Sequence, residues 1–218
     1  YSSQHSVDDA RELAENLGIR YDIVEIQPAV DQFEKSLAPL FEGTTPGVAE
    51  ENIQARSRGI LVMAVSNKFG PILLNTTNKS ESAVGYGTLY GDMNGGLAVL
   101  GDVYKMDVFK MSRFINRNGE IIPENSITKP PSAELRPDQK DTDSLPAYED
   151  LDQILFAFIE QNKPPGEIIA MGFSEEVVTR VIRMVNMNEY KRFQAAPILR
   201  ISSKAFGFGR KMPLVAKY

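Results

Sequence analysis

The chain has 218 residues, 42% of them hydrophobic, and a formal net charge of −5. That length can bury one sizeable core, as a single domain or as two small ones, and an acidic balance with no long basic run argues against a nucleic-acid partner. With no cysteine and one histidine, disulfides, thiolate nucleophiles and His-rich metal clusters are excluded. An anionic small ligand stays compatible, because local Lys, Arg and helix N-termini bind phosphate even on an acidic protein.

No uninterrupted apolar stretch is long enough to span a bilayer and no signal peptide is visible, so no membrane partner and a cytoplasmic location are expected. The chain opens on Tyr1 rather than Met, with an element starting almost at once. This reads as a fragment whose natural start lies upstream.

In chain order, Ser6 followed by Asp9 predicts a capped helix start. Ala10, Leu13, Ala14 and Leu17 then recur at helical spacing, and Gly18 is placed to end the helix. Residues 21–26 alternate and are β-rich, which predicts a strand. Phe33, Leu37, Leu40 and Phe41 mark a second helix. A third is predicted over 48–68, polar at first and apolar later. Pro71 precedes the apolar run Ile72, Leu73, Leu74, which predicts a short strand covered on both faces. This alternation is the rhythm of an α/β domain with a parallel sheet.

Asp102 is expected to cap another helix, in which Val103, Val108, Met111 and Phe114 share a face. Residues 126–146 are rich in Pro, Ser, Asp and Lys without a period, so a long loop is expected there, of the kind that serves as a lid or binding loop. Helices follow over 148–161 and 174–190, the second with an apolar stripe of Val177, Val178, Val181, Ile182 and Val185. The tail, 200–218, is basic and carries Phe206 and Phe208.

Residues 75–81, NTTNKSE, fall just after a predicted strand, where ligands bind in open α/β sheets. Thr76 offers a hydroxyl to a phosphate or ribose, and Glu81 a hard oxygen that suits Mg²⁺. Gly85, Gly87, Gly91, Gly95 and Gly96 would let backbone approach a ligand closely. The same pattern also describes a polar loop with glycines in turns, and spacing alone does not separate the two.

The run NTTNKSESAVGYGTLYGDMNGG resembles the signature region of NAD synthetases. ENIQARSRG, KPPSAELRPDQKDTDSLP, EYKR and RISSKAFGFGRKMP match further segments of that family in the same order, over almost the whole chain. The resemblance implies a doubly wound parallel sheet with flanking helices, of the adenine nucleotide alpha hydrolase-like, ATP pyrophosphatase type, with residues 1–218 forming part of a synthetase domain. It also implies a reaction. The carboxylate of deamido-NAD (nicotinic acid adenine dinucleotide) is adenylated with ATP and Mg²⁺, and ammonia then gives NAD. The tail and the DQKDTDSLP segment look more like the glutamine-dependent form, in which a glutaminase domain upstream supplies ammonia. Homo-oligomers are implied as well.

Carried over by that resemblance, Thr76, Lys105 and Ser132 are ATP contacts. Asn52, Arg56, Glu81 and Lys191 are deamido-NAD contacts, and Glu81 is also the metal ligand. Asn52 and Arg56 are four residues apart and share a helical face. Ser2, Ser3 and His5 fall near the adenine position. Thr77 stands where the family usually has Gly, which departs from its loop geometry. The family's S-G-G-x-D-S pyrophosphate loop is absent and would precede Tyr1, with its strand and helix, so these 218 residues alone are expected to be inactive. Two other readings fit less of the pattern: a different amide-forming ATP pyrophosphatase, and a non-catalytic nucleotide-binding or assembly module.

Overall fold

A computed structural model of the chain describes residues 2–214; residues 215–218 of the expected tail lie outside that range. The architecture is mostly helical around a small parallel sheet. The first helix, α1 (Gln4–Leu17), starts two residues before the predicted cap. Ser3 is the N-cap, its hydroxyl accepting the Ser6 N–H, and Gly18 closes the helix in the left-handed region at φ +61°. Next come α2 (Gln27–Leu37), with Pro28 in its first turn, and the long α3 (Val48–Phe69), which ends on Gly70.

The sheet pairs β1 (Leu74–Asn75) with β2 (Leu97–Ala98) in parallel, Leu74 opposite Leu97. A bridge from Ala98 to Ile198 continues it on the far side. Between the strands, α4 (Lys79–Val84) is capped by the Asn78 side chain, which accepts the Glu81 N–H. The remaining helices are α5 (Lys105–Ile115), α6 (Glu124–Thr128), α7 (Tyr148–Leu155), α8 (Pro165–Ile169), α9 (Glu175–Met187) and α10 (Glu189–Phe193). A π turn over Phe156–Glu160 extends α7.

Leu151, Ile154 and Leu155 of α7 pack with Val178, Val181 and Val185 of α9 and with Ala83 and Val84 of α4, all sealed from water. Period-3.6 spacing brings these valines onto one face, as the sequence predicts.

Three expectations are corrected. Residues 21–26 form no strand, with Ile23 and Val24 exposed at 60% and 63%. The run before β1 is not covered on both faces, since Ile72 is 61% exposed. Strand propensity records fit to a pleated, half-buried surface, and no neighbouring strand covers these residues among those described. Asp102 caps no helix: α5 begins after Tyr104, and the Asp102 carboxylate turns inward. The first amides of α5 are satisfied from elsewhere, the Lys105 N–H by Ser80 Oγ at 2.9 Å and the Met106 N–H by Asp152 Oδ2 at 2.8 Å.

Within 126–146, α6 takes the first residues and a 3₁₀ turn spans Asp141–Asp143; the rest is irregular. Phe206 is buried, whereas Phe208 is 97% exposed. No helix among the described residues is long and apolar enough to cross a membrane.

Candidate functional site

Three adjoining hollows open around the turn 85–92 and the loop 131–136. The smallest, about 280 Å³, is bordered by Glu81, Lys105, Lys129 and Ser132. The largest, about 540 Å³, is bordered by Asn52, Arg56, Arg136 and Lys191. Tyr86, Asp92 and Ala133 border both and form their common wall. The third, about 370 Å³, meets Ser2, Arg58 and again Ser132.

Local structure explains each position. In the large hollow, α3 turns Asn52 and Arg56 toward the turn 88–89. Asn52 Oδ1 accepts the Thr88 hydroxyl at 2.7 Å, and Arg56 Nε donates to the Leu89 carbonyl at 3.2 Å. From α10, Lys191 Nζ donates to the carbonyls of Gly85 at 2.7 Å and Gly87 at 2.8 Å. Burial holds the Lys191 ammonium below the usual lysine range, and the charge of Asp92 partly offsets this.

In the small hollow, Lys105 Nζ pairs with Glu81 Oε1 at 3.1 Å. Ser132 Oγ accepts the N–H of Glu134, a residue at φ +49°. Glu134 is in turn tied to α1, accepting the hydroxyls of Ser3 and Ser6. Lys129 reaches the same helix, at 2.8 Å from Ser6 Oγ and 3.2 Å from Asp9 Oδ2.

The structure thus brings Lys105, Ser132 and Glu81 around one hollow, and Asn52, Arg56 and Lys191 around its neighbour. Thr76 is not gathered with them; it is exposed and borders none of the three. Ser2 borders the third hollow, and Ser3 and His5 border none.

The metal reading of Glu81 does not find its partners. Its Oε1 faces an ammonium, and its Oε2 accepts the Asn78 N–H at 3.0 Å. No group of three or more His, Cys, Asp or Glu among the described residues could hold a metal ion.

Four of the five glycines expected to admit a ligand instead admit the protein. A Cβ at Gly85 would collide with Asn188, at Gly91 with Ala55, at Gly95 with Asn75 and at Gly96 with Ile72; Gly85 and Gly87 border the large hollow.

Residue-by-residue reading missed Tyr86, Arg136 and Asp141. Tyr86 and Asp141 sit inside the very runs that carry the family resemblance, GYGT and DQKDTD, which was the available signal. Asp141 is 4% exposed, and its Oδ2 accepts the Tyr148 hydroxyl at 2.8 Å.

The family model described as NAD synthase matches residues 1–195. The glutamine-dependent NAD(+) synthetase of Acinetobacter baylyi is 56% identical over 217 residues, which cover 99% of this chain and 40% of that protein. The solved glutamine-dependent NAD+ synthetase of Acinetobacter baumannii in complex with ADP is 48% identical, with a TM-score of 0.59, and the match covers 99% of this chain and 39% of that one. NMN synthetase from Francisella tularensis is 28% identical with a TM-score of 0.72, over 87% of this chain and 71% of its own. The chain spans about 40% of the length of the curated relatives it matches. It belongs to the NAD synthase family.

Proposed function

We propose that the protein carrying this chain amidates deamido-NAD to NAD at the expense of ATP, through an acyl-adenylate, with ammonia delivered from glutamine by a glutaminase domain elsewhere in the protein. The observation that carries the reading is the sorting of the site residues into two adjoining hollows. Lys105 and Ser132 suit a triphosphate in one, with Glu81 at its edge toward the dinucleotide, and Asn52, Arg56 and Lys191 suit a dinucleotide in the other. Two substrates seated on either side of one wall can bring carboxylate and α-phosphorus together, and such positioning supplies much of the rate.

The carboxylate oxygen attacks the α-phosphorus, a C–O–P link forms and pyrophosphate leaves. Ammonia then attacks the acyl carbon and AMP departs. Lys105 would offset charge on the phosphates as a compact cation, and Arg56 and Lys191 would do so on the dinucleotide. Thr76 is proposed to reach ATP only from the rim. Any Mg²⁺ would arrive held by the ATP phosphates and water. Residues 1–218 act as part of one synthetase domain, with β1 and β2 belonging to a wider doubly wound parallel sheet, in a homo-oligomer.

The likeness to NMN synthetase favours one second reading, amidation of the corresponding mononucleotide carboxylate. The test is an assay of the full-length protein with ATP, Mg²⁺ and either deamido-NAD or nicotinate mononucleotide, with ammonium or glutamine as nitrogen source. NAD formed from both nitrogen sources supports the first reading. Amide formed on the mononucleotide alone supports the second, and no product from either overturns both.

A further inference from the structure

We infer that Arg136 selects a dinucleotide over a mononucleotide, its guanidinium holding the phosphate on the adenosine side of the substrate. The inference rests on the amidation reading above and adds which side chain reads the half of the substrate that does not react.

Arg56, Arg136 and Lys191 all border the large hollow, and they differ in what they hold. Arg56 donates to the Leu89 carbonyl and Lys191 to those of Gly85 and Gly87, so both brace the turn that carries Tyr86 of the common wall. Arg136 is held by carboxylates instead. Its Nε lies 3.9 Å from Glu51 Oε1 and its Nη2 lies 3.4 Å from Asp143 Oδ2, with 52% of the side chain exposed. Accessible pairs this loose contribute little, so the guanidinium can exchange them for a phosphate. Its planar fork then meets two phosphate oxygens at once.

Charge points the same way. Without Arg136, the charged side chains bordering the large hollow balance, Arg56 and Lys191 against Glu51 and Asp92. Arg136 supplies the excess positive charge that a pyrophosphate calls for. Its stem is anchored: Gln54 Nε2 donates to the Leu135 carbonyl at 3.1 Å, and the Leu135 N–H donates to Gln139 Oε1 at 2.9 Å.

The reacting carboxyl has to lie against the wall that the two hollows share. A mononucleotide carries one phosphate, a ribose away from the ring that bears this carboxyl. Arg56 and Lys191, on the turn beside the wall, suit that phosphate. A dinucleotide carries a second phosphate farther out, and Arg136, off that turn and absent from the border of the small hollow, is the cation left to meet it.

The test uses the full-length protein. KM for deamido-NAD and for ATP, and the inhibition constant of nicotinate mononucleotide against deamido-NAD, are measured in Arg136→Gln, Arg136→Lys and Asp143→Asn. Arg136→Gln should raise the deamido-NAD KM about tenfold, with the ATP KM and the mononucleotide constant within about twofold of wild type. Arg136→Lys keeps the charge and loses the fork, so it should recover part of the loss. Asp143→Asn frees Arg136 from a competing carboxylate, so the deamido-NAD KM should stay level or fall. An arginine that merely ties its loop to Asp143 would instead raise that KM in Asp143→Asn as in Arg136→Gln, and this result overturns the inference. So does a deamido-NAD KM that Arg136→Gln leaves at the wild-type value, or that rises only in step with the ATP KM or the mononucleotide constant; the amidation reading survives each of these. A wild-type protein that forms no NAD from deamido-NAD overturns both.

Discussion

Lys79 Nζ lies 2.8 Å from Asp102 Oδ1, and neither side chain is exposed. The same ammonium pairs with Glu160, donates to Ser202 Oγ at 2.8 Å and to the Lys204 carbonyl at 3.0 Å, and stands 5.0 Å from the Tyr104 ring. Asp102 also accepts the N–H groups of Ile201 and Ser202. One buried cation therefore ties α4 and the π turn to the segment 201–204. Its neighbours on α4 serve the site: Ser80 bonds Asp152 and accepts the first amide of α5, and Glu81 faces Lys105.

That cluster sets a pH dependence. Burial would raise the carboxyls of Asp102 and Glu160, but hydrogen bonds from Lys79 and the serines hold both below their ordinary values of 3.8 and 4.5. Their contribution is complete above those values and is lost as pH falls through the depressed ones. Lys79→Met leaves two buried carboxylates without a cation, at a cost of about 3–5 kcal/mol near neutrality. Their pKa values then rise, so the variant regains relative stability as pH drops from 7 toward 5. Urea unfolding of both forms across pH 3–7 checks the crossing slopes.

Arg192 locks α10 to α4. It donates to the Ala83 carbonyl at 2.6 Å and to the Ser82 and Val185 carbonyls, and it pairs with Glu189 at 2.9 Å with both side chains nearly buried. Arg192→Ala strands Glu189 and three carbonyls, and a loss of about 3–5 kcal/mol is expected in denaturant unfolding. Lys in its place cannot reproduce the fork and should recover less than half.

Glu134 holds the irregular part of 126–146 against α1 through Ser3 and Ser6. Glu134→Ala should raise amide exchange across 129–136 by about tenfold while global stability changes by less than about 1 kcal/mol. Exchange mass spectrometry reads the first and thermal unfolding the second.

Because burial lowers the Lys191 pKa from 10.5, its charge is lost at a lower pH than an ordinary lysine's. Affinity for an anionic ligand in the large hollow should fall as pH rises through that depressed value. Lys191→Met should weaken dinucleotide binding about tenfold or more at pH 7 and flatten the alkaline fall. Calorimetric titration between pH 7 and 10 with each protein shows whether it does.

Helix spacing was legible where one face meets a core, as with Val178, Val181 and Val185, and so was the shared face of Asn52 and Arg56. Residues 21–26 were not, because their alternation describes a strand that needs neighbours, and none is described. Asp102 was misread because its partners, Ile201 and Ser202, stand about a hundred residues away. Gly91 was misread for a similar reason: there the turn 90–94 presses against the Ala55 backbone of α3, which spacing cannot report.

The wall made by Tyr86, Asp92 and Ala133 has two sides and one position. A ligand that shifts it from one hollow alters the shape met by a ligand in the other. Thermodynamics makes that influence mutual: whatever factor the first occupant applies to the affinity of the second, the second returns to the first. Order of addition can then change rates of assembly, and the final affinity of the pair stays the same by either route.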